Sequence, residues 1–530
     1  MMIFRTCFAF AVIALLPTIA SVSAGEKPVG IKAVVRQRIH PVLIRNDRNA
    51  LLELTIETEQ KAVFLHSLTF SLKGTDDLND IESLQVFSPG DKQNYATQAT
   101  FGDRTKSAGE VVVRGNVRLR RGVNVLWLSC RLSPTASLSH KVDATCTTIE
   151  TSVGTVTPQA ETLNVRKRIG IALRRHFDDG VHTYRIAALA TTPKGTLLCV
   201  YDIRRRAGRD LQEDIDIGLL RSTDGGQTWE GQRVIMDMHE YGKLPQEQNG
   251  CSDPGILVDP ATGEIFVTAV WTWGRPGTHQ WNKGGSEPGF EIGKTAQFLM
   301  VRSTDDGRTF SKPENLTRKL KKKEWILFAP SPQQGISLPD GTLIMPTQGR
   351  DEQDRHFSNL TISRDHGKTW TVSNPASFGN TECQAVLLGD GSIMLNCRTE
   401  SPTKFRTVAV TSDLGKTWKP HATNRNTLIE PNCNGSTYRF DYKQNGEKKH
   451  ILVFANPHTQ AGRDHHTIQI SFDDGRSWPK EHHLLLDVGR GAGYPSLSRV
   501  DDKHIGLVYE GSQSQLVFEK FSLDELLERR

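Results

Sequence analysis

The chain has 530 residues, of which 37% are hydrophobic and 24% are charged, a balance typical of a globular protein with a packed core. The formal net charge of +6 is small for this length, and no dense basic stripe is present, so we expect no nucleic-acid partner. No segment beyond the N-terminus is long and apolar enough to span a membrane, and we expect a monomer without a membrane span.

The first 24 residues have the order of an export signal. Arg5 precedes the apolar run CFAFAVIALLPTIA, and the segment SVSA ends in the small residue Ala24, where a signal peptidase would cut. The apolar run is too short to act as a membrane anchor. The sequence therefore predicts cleavage after Ala24 and a secreted or periplasmic location.

Residues 27–168 alternate apolar and polar side chains in short runs, such as LLELTIET and NVLWLSCRL, with turn-forming residues between them. This period of two predicts an N-terminal β-sandwich. Cys130 and Cys146 could pair in an oxidising compartment, or all seven cysteines after the signal could be small buried apolar residues. No CxxC pair is present, which disfavours a structural zinc site.

Residues 176–526 also consist of short strands and turns, with hardly any helical periodicity. A pattern Ser/Thr-x-Asp-x-Gly-x-Thr/Ser-Trp/Phe recurs five times in this region, and its aspartates are 81, 60, 48 and 60 residues apart. They are Asp224, Asp305, Asp365, Asp413 and Asp473. A unit that recurs every 50–60 residues or so is typical of a radial repeat with one four-stranded sheet per blade. Five marked units and one unmarked unit predict a six-bladed β-propeller and an all-β chain.

The repeated turn has a structural explanation. Its aspartate can accept hydrogen bonds from the backbone of its own turn, and its glycine supplies the positive φ of a tight hairpin. We expect the aromatic residue to pack between neighbouring sheets. The five aspartates are therefore predicted to hold turns and to take no part in catalysis.

These turns resemble the Asp-boxes of the sialidase superfamily. The segment TYRIAALATTPKGTLLCVYDIRRRAGRDLQEDIDIGLLRSTDGGQTW is similar to the first blade of bacterial exo-sialidases (neuraminidases) of glycoside hydrolase family 33. Their opening Phe/Tyr-Arg-Ile-Pro motif has alanine at Ala187 here, where proline would contribute no reacting group. The resemblance covers nearly all of residues 176–526, and residues 27–168 resemble the carbohydrate-binding-like sandwich that precedes some of these propellers.

The resemblance implies a binding site for a sugar that carries a carboxylate on its anomeric carbon. Three arginines would clamp this carboxylate, because guanidinium groups are planar, always charged and bidentate. They match Arg185 in YRIA, Arg398 in GSIMLNCR and Arg463 in TQAGRDHHTI. Arg204 and Asp253 match residues that bind the sugar near O4.

The resemblance also implies a general acid/base. Asp210 matches that position, and we expect a bound substrate to desolvate its carboxyl group and raise the pKa. The neighbouring residues Glu213, Asp214 and Asp216 are alternative candidates, although the last two flank a strand and favour a structural role.

A carboxylate nucleophile would be repelled by the carboxylate of the substrate. Sialidases are exceptions among glycosidases because they use a tyrosine. Tyr494 in RGAGYPSL matches this nucleophile, and Glu382 in GNTECQAV matches the base that takes its proton.

Two further pairs of residues allow more than one interpretation. Trp271 and Trp273 could line an N-acyl pocket or pack within a blade. His465 and His466 are adjacent, so on a strand their side chains would point to opposite faces and could not easily share a metal ion. We predict no metal site, and the expected chemistry needs no cofactor.

The implied function is that of an exported exo-α-sialidase that hydrolyses terminal α-linked sialic acids from glycoproteins, glycolipids or oligosaccharides. The alternatives are a trans-sialidase, a hydrolase of a related nonulosonic acid, and a non-catalytic sialic-acid-binding propeller. A binding protein could retain the arginines but has no reason to retain Asp210, Glu382 and Tyr494 together.

Overall fold

A computed structural model describes residues 30–90, 99–161, 165–274, 278–400 and 402–528. The predicted signal segment, residues 1–24, lies outside the described residues. Strands dominate the described ranges, and the two α-helices there are short, Thr317–Leu320 and Leu523–Leu527. Single 3₁₀ turns occur at Leu78–Asp80, Asp178–Gly180, Gln246–Gln248 and Lys480–His482. No helix of these ranges has the length and apolar character needed to cross a membrane.

Two sheets packed face to face form the N-terminal sandwich. In spatial order, the strands of the first sheet are Gln159–Ala160, Ile31–Arg36, Asn49–Thr58, Gly122–Leu132, Ile81–Gly90 and Thr100–Thr105. Those of the second sheet are Gly154–Val156, Thr145–Thr151, Phe64–Ser71 and Glu110–Arg118. Alternate side chains of both sheets, such as Leu54 and Leu68, meet in one buried apolar cluster.

Six further sheets follow and are named blades I to VI. Blade I contains Thr183–Thr191, Leu197–Arg204, Ile215–Ser222 and Arg233–Met236. Blade II contains Asn249–Val258, Ile265–Trp273, Gln297–Ser303 and Glu314–Asn315, with Gln333–Gln334 paired to its first strand. Blade III contains Leu327–Pro330, Ile336–Ser337, Leu343–Arg350, His356–Ser363, Thr371–Val372 and Ser377–Phe378.

The remaining blades complete the set. Blade IV contains Asn380–Leu387, Ile393–Thr399, Thr407–Thr411 and Lys419–Pro420. Blade V contains Ser436–Gln444, Glu447–Pro457, His466–Ser471 and His483–Asp487. Blade VI contains Pro495–Asp501, His504–Tyr509, Leu516–Ser522 and Lys167–Arg174, with Val42–Ile44 and Lys141–Val142 paired to the last of these.

The ring closes by pairing the two ends of the propeller. The strand Lys167–Arg174, which precedes blade I in the chain, pairs antiparallel with Leu516–Ser522 as the fourth strand of blade VI. Blade I contacts blade VI directly, since the backbone N–H of Leu189 donates to the hydroxyl of Ser496 (2.9 Å). The sequence prediction of an all-β chain with a sandwich and a six-bladed propeller is confirmed.

The five repeated turns share one hydrogen-bond pattern, shown by Asp365. Its carboxylate accepts bonds from the hydroxyl of Ser363 (2.8 Å) and from the backbone N–H (2.9 Å) and hydroxyl (2.6 Å) of Thr369. The bonds from Thr369 lower the pKa of Asp365 to about 2. Gly367 has φ +78°, as the turn requires. The predicted structural role of the turn is therefore confirmed.

Two of the aromatic residues of these turns make ring contacts with a neighbouring blade. Trp229 of blade I packs edge-on against Phe518 of blade VI at 5.3 Å, and Trp370 of blade III packs against Phe266 of blade II at 5.6 Å. The seven cysteines of the described part are all buried and free, so they act as small apolar residues.

Candidate active site

The candidate site lies on the face of the ring where the first strands of the blades begin and their second strands end. Arg185 and Glu382 lie near the starts of the first strands of blades I and IV, and Tyr494 directly precedes that of blade VI. Arg204 and Arg398 lie at or near the ends of second strands. Neighbouring strands are antiparallel, so these positions meet at the same end of the sheets.

Tyr494 is held between a carboxylate and a cation. Its hydroxyl donates to Glu382 Oε1 (2.5 Å), and Arg398 Nη1 donates to the tyrosine oxygen (2.8 Å) and to Glu382 Oε2 (2.9 Å). The side chain is buried, and burial together with the negative charge of Glu382 raises the pKa of Tyr494 well above its ordinary value. The phenol is therefore neutral, and its proton points at a base.

Two more arginines surround the same ring. The guanidinium carbons of Arg185 and Arg463 lie 5.2 and 5.4 Å from the centroid of Tyr494. Glu510 pairs with Arg185 (2.7 Å), whereas Arg463 donates to the backbone carbonyl groups of Ala492 (2.9 Å) and Asn432 (3.4 Å). Within the described residues Arg463 has no carboxylate partner. The cluster thus has positive charge available for an anionic ligand.

Asp210 lies beside this cluster on the hairpin that follows Arg204. Its Oδ1 accepts a bond from Arg204 Nη2 (2.6 Å), and its side chain is 56% exposed. Desolvation acts to raise the pKa of Asp210, but the charges of Arg204 and Arg185 outweigh it and hold the pKa below its ordinary value. In the free protein Asp210 is therefore ionised near neutral pH, and a rise in its pKa must come from bound substrate.

Arg204 is fully covered by its acidic partners. Its Nε and Nη2 donate to Asp202 Oδ2 (3.2 and 2.9 Å), in addition to the bond with Asp210. Its exposure is 0%, so the predicted contact with a sugar O4 would require Asp210 to move. In this geometry the guanidinium group of Arg204 holds two carboxylates together.

Asp253 is buried next to the same carboxylates. Its backbone N–H donates to Asp202 Oδ1 (3.0 Å), and its φ of +56° is unusual for a non-glycine residue. Burial and the charges of Asp210 and Asp202 raise the pKa of Asp253 well above its ordinary value. These effects favour the protonated form of its carboxyl group, and among the described residues that group has no hydrogen-bond partner.

Two supporting residues were not found from the sequence. Glu510 accepts bonds from Arg185 Nε (2.7 Å) and from the backbone N–H groups of Ile186 (2.6 Å) and Tyr494 (3.2 Å). Asn432 Oδ1 accepts from Arg398 Nε (2.8 Å). A lone glutamate in LVYEGS and a lone asparagine in EPNCNG give no sequence signal of these roles.

The alternative acidic residues near Asp210 are less suited to meet a substrate. Glu213, Asp214 and Asp216 are buried, and Asp216 is paired with Arg205. Among these four acidic side chains, the one that reaches the open face is Asp210, the residue that the resemblance selected.

Trp271 belongs to the core and not to a ligand pocket. It is fully buried in the apolar cluster between blades I and II, and Trp273 packs partly against the same cluster. Packing within the blades is therefore the correct alternative for Trp271. In the part of the chain that the structure describes, no group of three or more histidine, cysteine, aspartate or glutamate residues could hold a metal ion.

A six-bladed propeller that combines three arginines, a tyrosine–glutamate pair and a half-exposed aspartate on one face defines a glycoside hydrolase of the sialidase class. Residues 195–509 match the family model of the BNR repeat-like domain, and residues 31–154 match the N-terminal domain of BNR-repeat neuraminidase.

Individual relatives agree with these matches. A sialidase of Bacteroides fragilis is 36% identical over 93% of this chain and 95% of its own length. A sialidase of Micromonospora viridifaciens is 31% identical over 67% of this chain and 53% of its own length. The structure of the Hadza microbial sialidase Hz136 superimposes with a TM-score of 0.86, at 34% identity, over 93% of this chain and 99% of that one. The chain belongs to the BNR-repeat neuraminidase family and is an exo-α-sialidase.

Proposed function

We propose that this enzyme cleaves terminal α-linked sialic acids from glycans with retention of configuration and with Tyr494 as nucleophile. The observation that carries the proposal is the 2.5 Å hydrogen bond from Tyr494 to Glu382 inside a ring of three arginines. A neutral phenol can approach an anomeric carbon that bears a carboxylate, whereas an anionic nucleophile would be repelled. The adjacent base then makes the phenol reactive.

In the first step the arginines bind the substrate carboxylate. This neutralises part of the charge that lowers the Asp210 pKa, and exclusion of water raises that pKa further, so Asp210 takes up a proton. The bond from Tyr494 oxygen to C2 forms as the bond from C2 to the glycan oxygen breaks. The glycan oxygen takes the proton of Asp210, and Glu382 takes the proton of Tyr494.

In the second step water replaces the tyrosine. Asp210, now ionised, accepts a proton from the water as its oxygen bonds to C2, and the bond from C2 to Tyr494 breaks. Glu382 returns its proton to the tyrosine oxygen. Two inversions at C2 give net retention. Through both steps Arg398 Nη1 remains a donor to the tyrosine oxygen and stabilises the charge that develops there.

The remaining assignments complete this proposal. Residues 176–526 form the catalytic unit, and residues 27–168 are a carbohydrate-binding-like unit. Asp253, with Arg204 behind Asp210, orients the sugar near O4. The substrates are sialylated glycoproteins, glycolipids and oligosaccharides, and the enzyme acts as an exported monomer after cleavage near Ala24.

Trapping of the glycosyl–enzyme tests the nucleophile. A fluorinated sialosyl fluoride should leave one sialosyl group on the peptide that contains Tyr494, as read by mass spectrometry. Proton NMR should show the α-anomer of free sialic acid as the first product. Label on another residue, or the β-anomer first, would overturn the proposal. Mass analysis of reactions with added lactose separates hydrolysis from transfer to an acceptor.

A further inference from the structure

The two residues that follow Asp210 form an unusual buried turn. The backbone N–H of Gln212 donates to the carbonyl oxygen of Asp210 (2.7 Å), which makes a three-residue γ-turn with Leu211 at its centre. Leu211 has φ +61°, a strained conformation for a bulky residue that persists only where the surroundings enforce it. Both Leu211 and Gln212 are 2% exposed, whereas the side chain of Asp210 is 56% exposed.

The contacts that hold Leu211 in this conformation come from blade II and from the segment that follows its second strand. The side chain of Leu211 packs with Val270 and Trp281 in a small buried cluster. The carbonyl oxygen of Leu211 accepts a bond from the hydroxyl of Thr272. A segment of blade I that carries an exposed aspartate is thus fixed from the neighbouring blade.

The side-chain amide of Gln212 connects the turn to the end of the second strand of blade II and to the segment after it. Its Nε2 donates to the carbonyl oxygen of Trp273 (2.9 Å), and its Oε1 accepts from the backbone N–H of Gln280 (3.1 Å). Gln280 Oε1 in turn accepts from the backbone N–H of Trp273 (3.0 Å). The amide nitrogen and the amide oxygen of Gln212 are therefore both hydrogen-bonded. They tie the turn to Trp273, at the end of the second strand of blade II, and to Gln280.

We propose that Gln212 is a positioning residue for Asp210, which it holds at the distance and angle needed for proton transfer to the leaving glycan. This inference rests on the proposed role of Asp210 as general acid. The one side-chain bond of Asp210 in the described structure, to Arg204, fixes a carboxylate oxygen and favours the ionised form. The neutral amide of Gln212 instead fixes the backbone of the turn and adds no charge that would lower the Asp210 pKa further.

General acid catalysis matters most when the leaving group is a poor one. Protonation by a positioned acid contributes about 10²–10⁴-fold to the rate, and small displacements of the acid reduce this contribution. A sugar leaving group depends on the proton, while 4-nitrophenolate departs without it. The ratio of kcat/KM for 4-nitrophenyl sialoside to kcat/KM for 3′-sialyllactose therefore reports how well Asp210 is placed.

The test compares Gln212→Leu with Gln469→Leu in the full chain. Gln469 is a buried glutamine of blade V whose Nε2 donates to Asn456 Oδ1 (3.1 Å), and it is not a residue of the proposed machinery. We expect Gln212→Leu to lose about tenfold in kcat/KM on 3′-sialyllactose, a part of the general-acid contribution, with little loss on 4-nitrophenyl sialoside. Gln469→Leu should leave the ratio of the two substrates unchanged.

Two further variants make the outcome decisive. Gln212→Glu keeps the acceptor for Gln280 but loses the donor to Trp273, so it should shift the ratio in the same direction even if Gln212→Leu does not fold. Asp210→Ala should give the largest shift. If Asp210→Ala shows the shift while both folded Gln212 variants match Gln469→Leu, the positioning role is wrong. If Asp210→Ala shows no leaving-group dependence, the proposed role of Asp210 fails instead.

Discussion

The hydroxyl of Tyr494 has one acceptor and one donor, Glu382 and Arg398, and this arrangement determines what its removal should do. Tyr494→Phe keeps the ring between Arg185 and Arg463 but removes the oxygen that we propose attacks C2. We expect kcat/KM on a fluorogenic sialoside to fall by about 10⁴-fold, the scale on which coupled nucleophile–base units fail. Calorimetry should still show binding of the unsaturated sialic acid analogue. A variant that keeps most of its rate would show that another group attacks C2.

The protonated state of Asp253 gives a second prediction. A neutral carboxyl group is close in shape and hydrogen bonding to a carboxamide, and burial with the charges of Asp210 and Asp202 keeps it neutral. Asp253→Asn should therefore retain most of kcat/KM, whereas Asp253→Ala should lose about 10-fold or more, the equivalent of one buried hydrogen bond to substrate. Equal losses in both variants would indicate that an ionised Asp253 is required.

The pKa of Asp210 gives a third prediction, for the pH profile. The proposed reaction needs Asp210 protonated, so we expect the rate to fall as pH rises through its pKa. In the free enzyme Arg204 and Arg185 hold that pKa low, and a bound carboxylate offsets part of their charge. The decline of kcat on the basic side should thus occur at higher pH than the decline of kcat/KM, because these report the bound and the free enzyme respectively. Coincident declines in profiles from about pH 2 to 8 would contradict this.

The sequence indicated the candidate reacting residues more clearly than the residues that support them. Asp210, Glu382 and Tyr494 lie in local motifs that resemble a known family, and the structure brings them to one face. Glu510 and Gln212 lie outside any such motif. Their roles depend on contacts with Arg185 and with the hairpin of blade II, which only the folded chain creates.

At the scale of elements, each repeated turn of the propeller is held by hydrogen bonds to its own aspartate. Asp473 accepts bonds from the hydroxyl of Ser471 (2.8 Å) and from the backbone N–H (2.9 Å) and hydroxyl (2.7 Å) of Ser477. Partial burial acts to raise the pKa of Asp473, but the bonds from Ser477 and Ser471 hold it below its ordinary value. The ionised carboxylate therefore stabilises the turn.

Asp473→Ala should lower the free energy of unfolding by about 1–3 kcal/mol, because the donors of its turn lose their acceptor. Because the folded pKa is depressed, this stabilisation is present above the unfolded pKa and disappears as pH falls through the folded value. The difference from wild type in urea titrations should therefore shrink in acid, while kcat at neutral pH stays unchanged. Asp502→Ala removes a surface aspartate that is 96% exposed and serves as the control. Equal effects in both variants would contradict a special role for the turn.

The turn pattern also shows what a sequence can encode locally. Five recurrences of one turn pattern were sufficient to predict blades, because each turn is made within one short segment. The addition of Val42–Ile44 to blade VI could not be predicted in this way. That pairing joins the strand to Lys167–Arg174, which lies in a distant part of the chain, and short apolar strands carry no signal of their partner.

At the scale of the whole molecule, the sandwich and the propeller share one core. A single buried cluster contains Leu54 and Leu128 of the sandwich together with Ile169 and Phe518 of blade VI. Arg45 Nη1 also donates to the carbonyl oxygen of Ala172 in blade VI (2.7 Å). Separation of the two units would therefore expose apolar surface and unpaired backbone groups.

We expect the full chain to unfold in one calorimetric transition, and a fragment that starts at residue 166 to melt at a lower temperature than the full chain. The reason is loss of the apolar contacts and of the strand that covers Lys167–Arg174. Arg45→Ala in the full chain should also lower the melting temperature, but by a smaller amount than the truncation. Two separate transitions, or a fragment as stable as the full chain, would show that the two units are independent.

The propeller ring can close only after both strands that join its ends in blade VI have been synthesised. The strand Lys167–Arg174 is made before blade I, and its antiparallel partner Leu516–Ser522 is made after all the residues of the candidate site. Until then blade VI lacks the pairing that joins the two ends of the propeller, and its contact with blade I through Ser496 and Leu189 has no closed ring around it. A ribosome that stops a few codons before residue 516 would thus release a chain with every proposed site residue and without the strand that closes the ring.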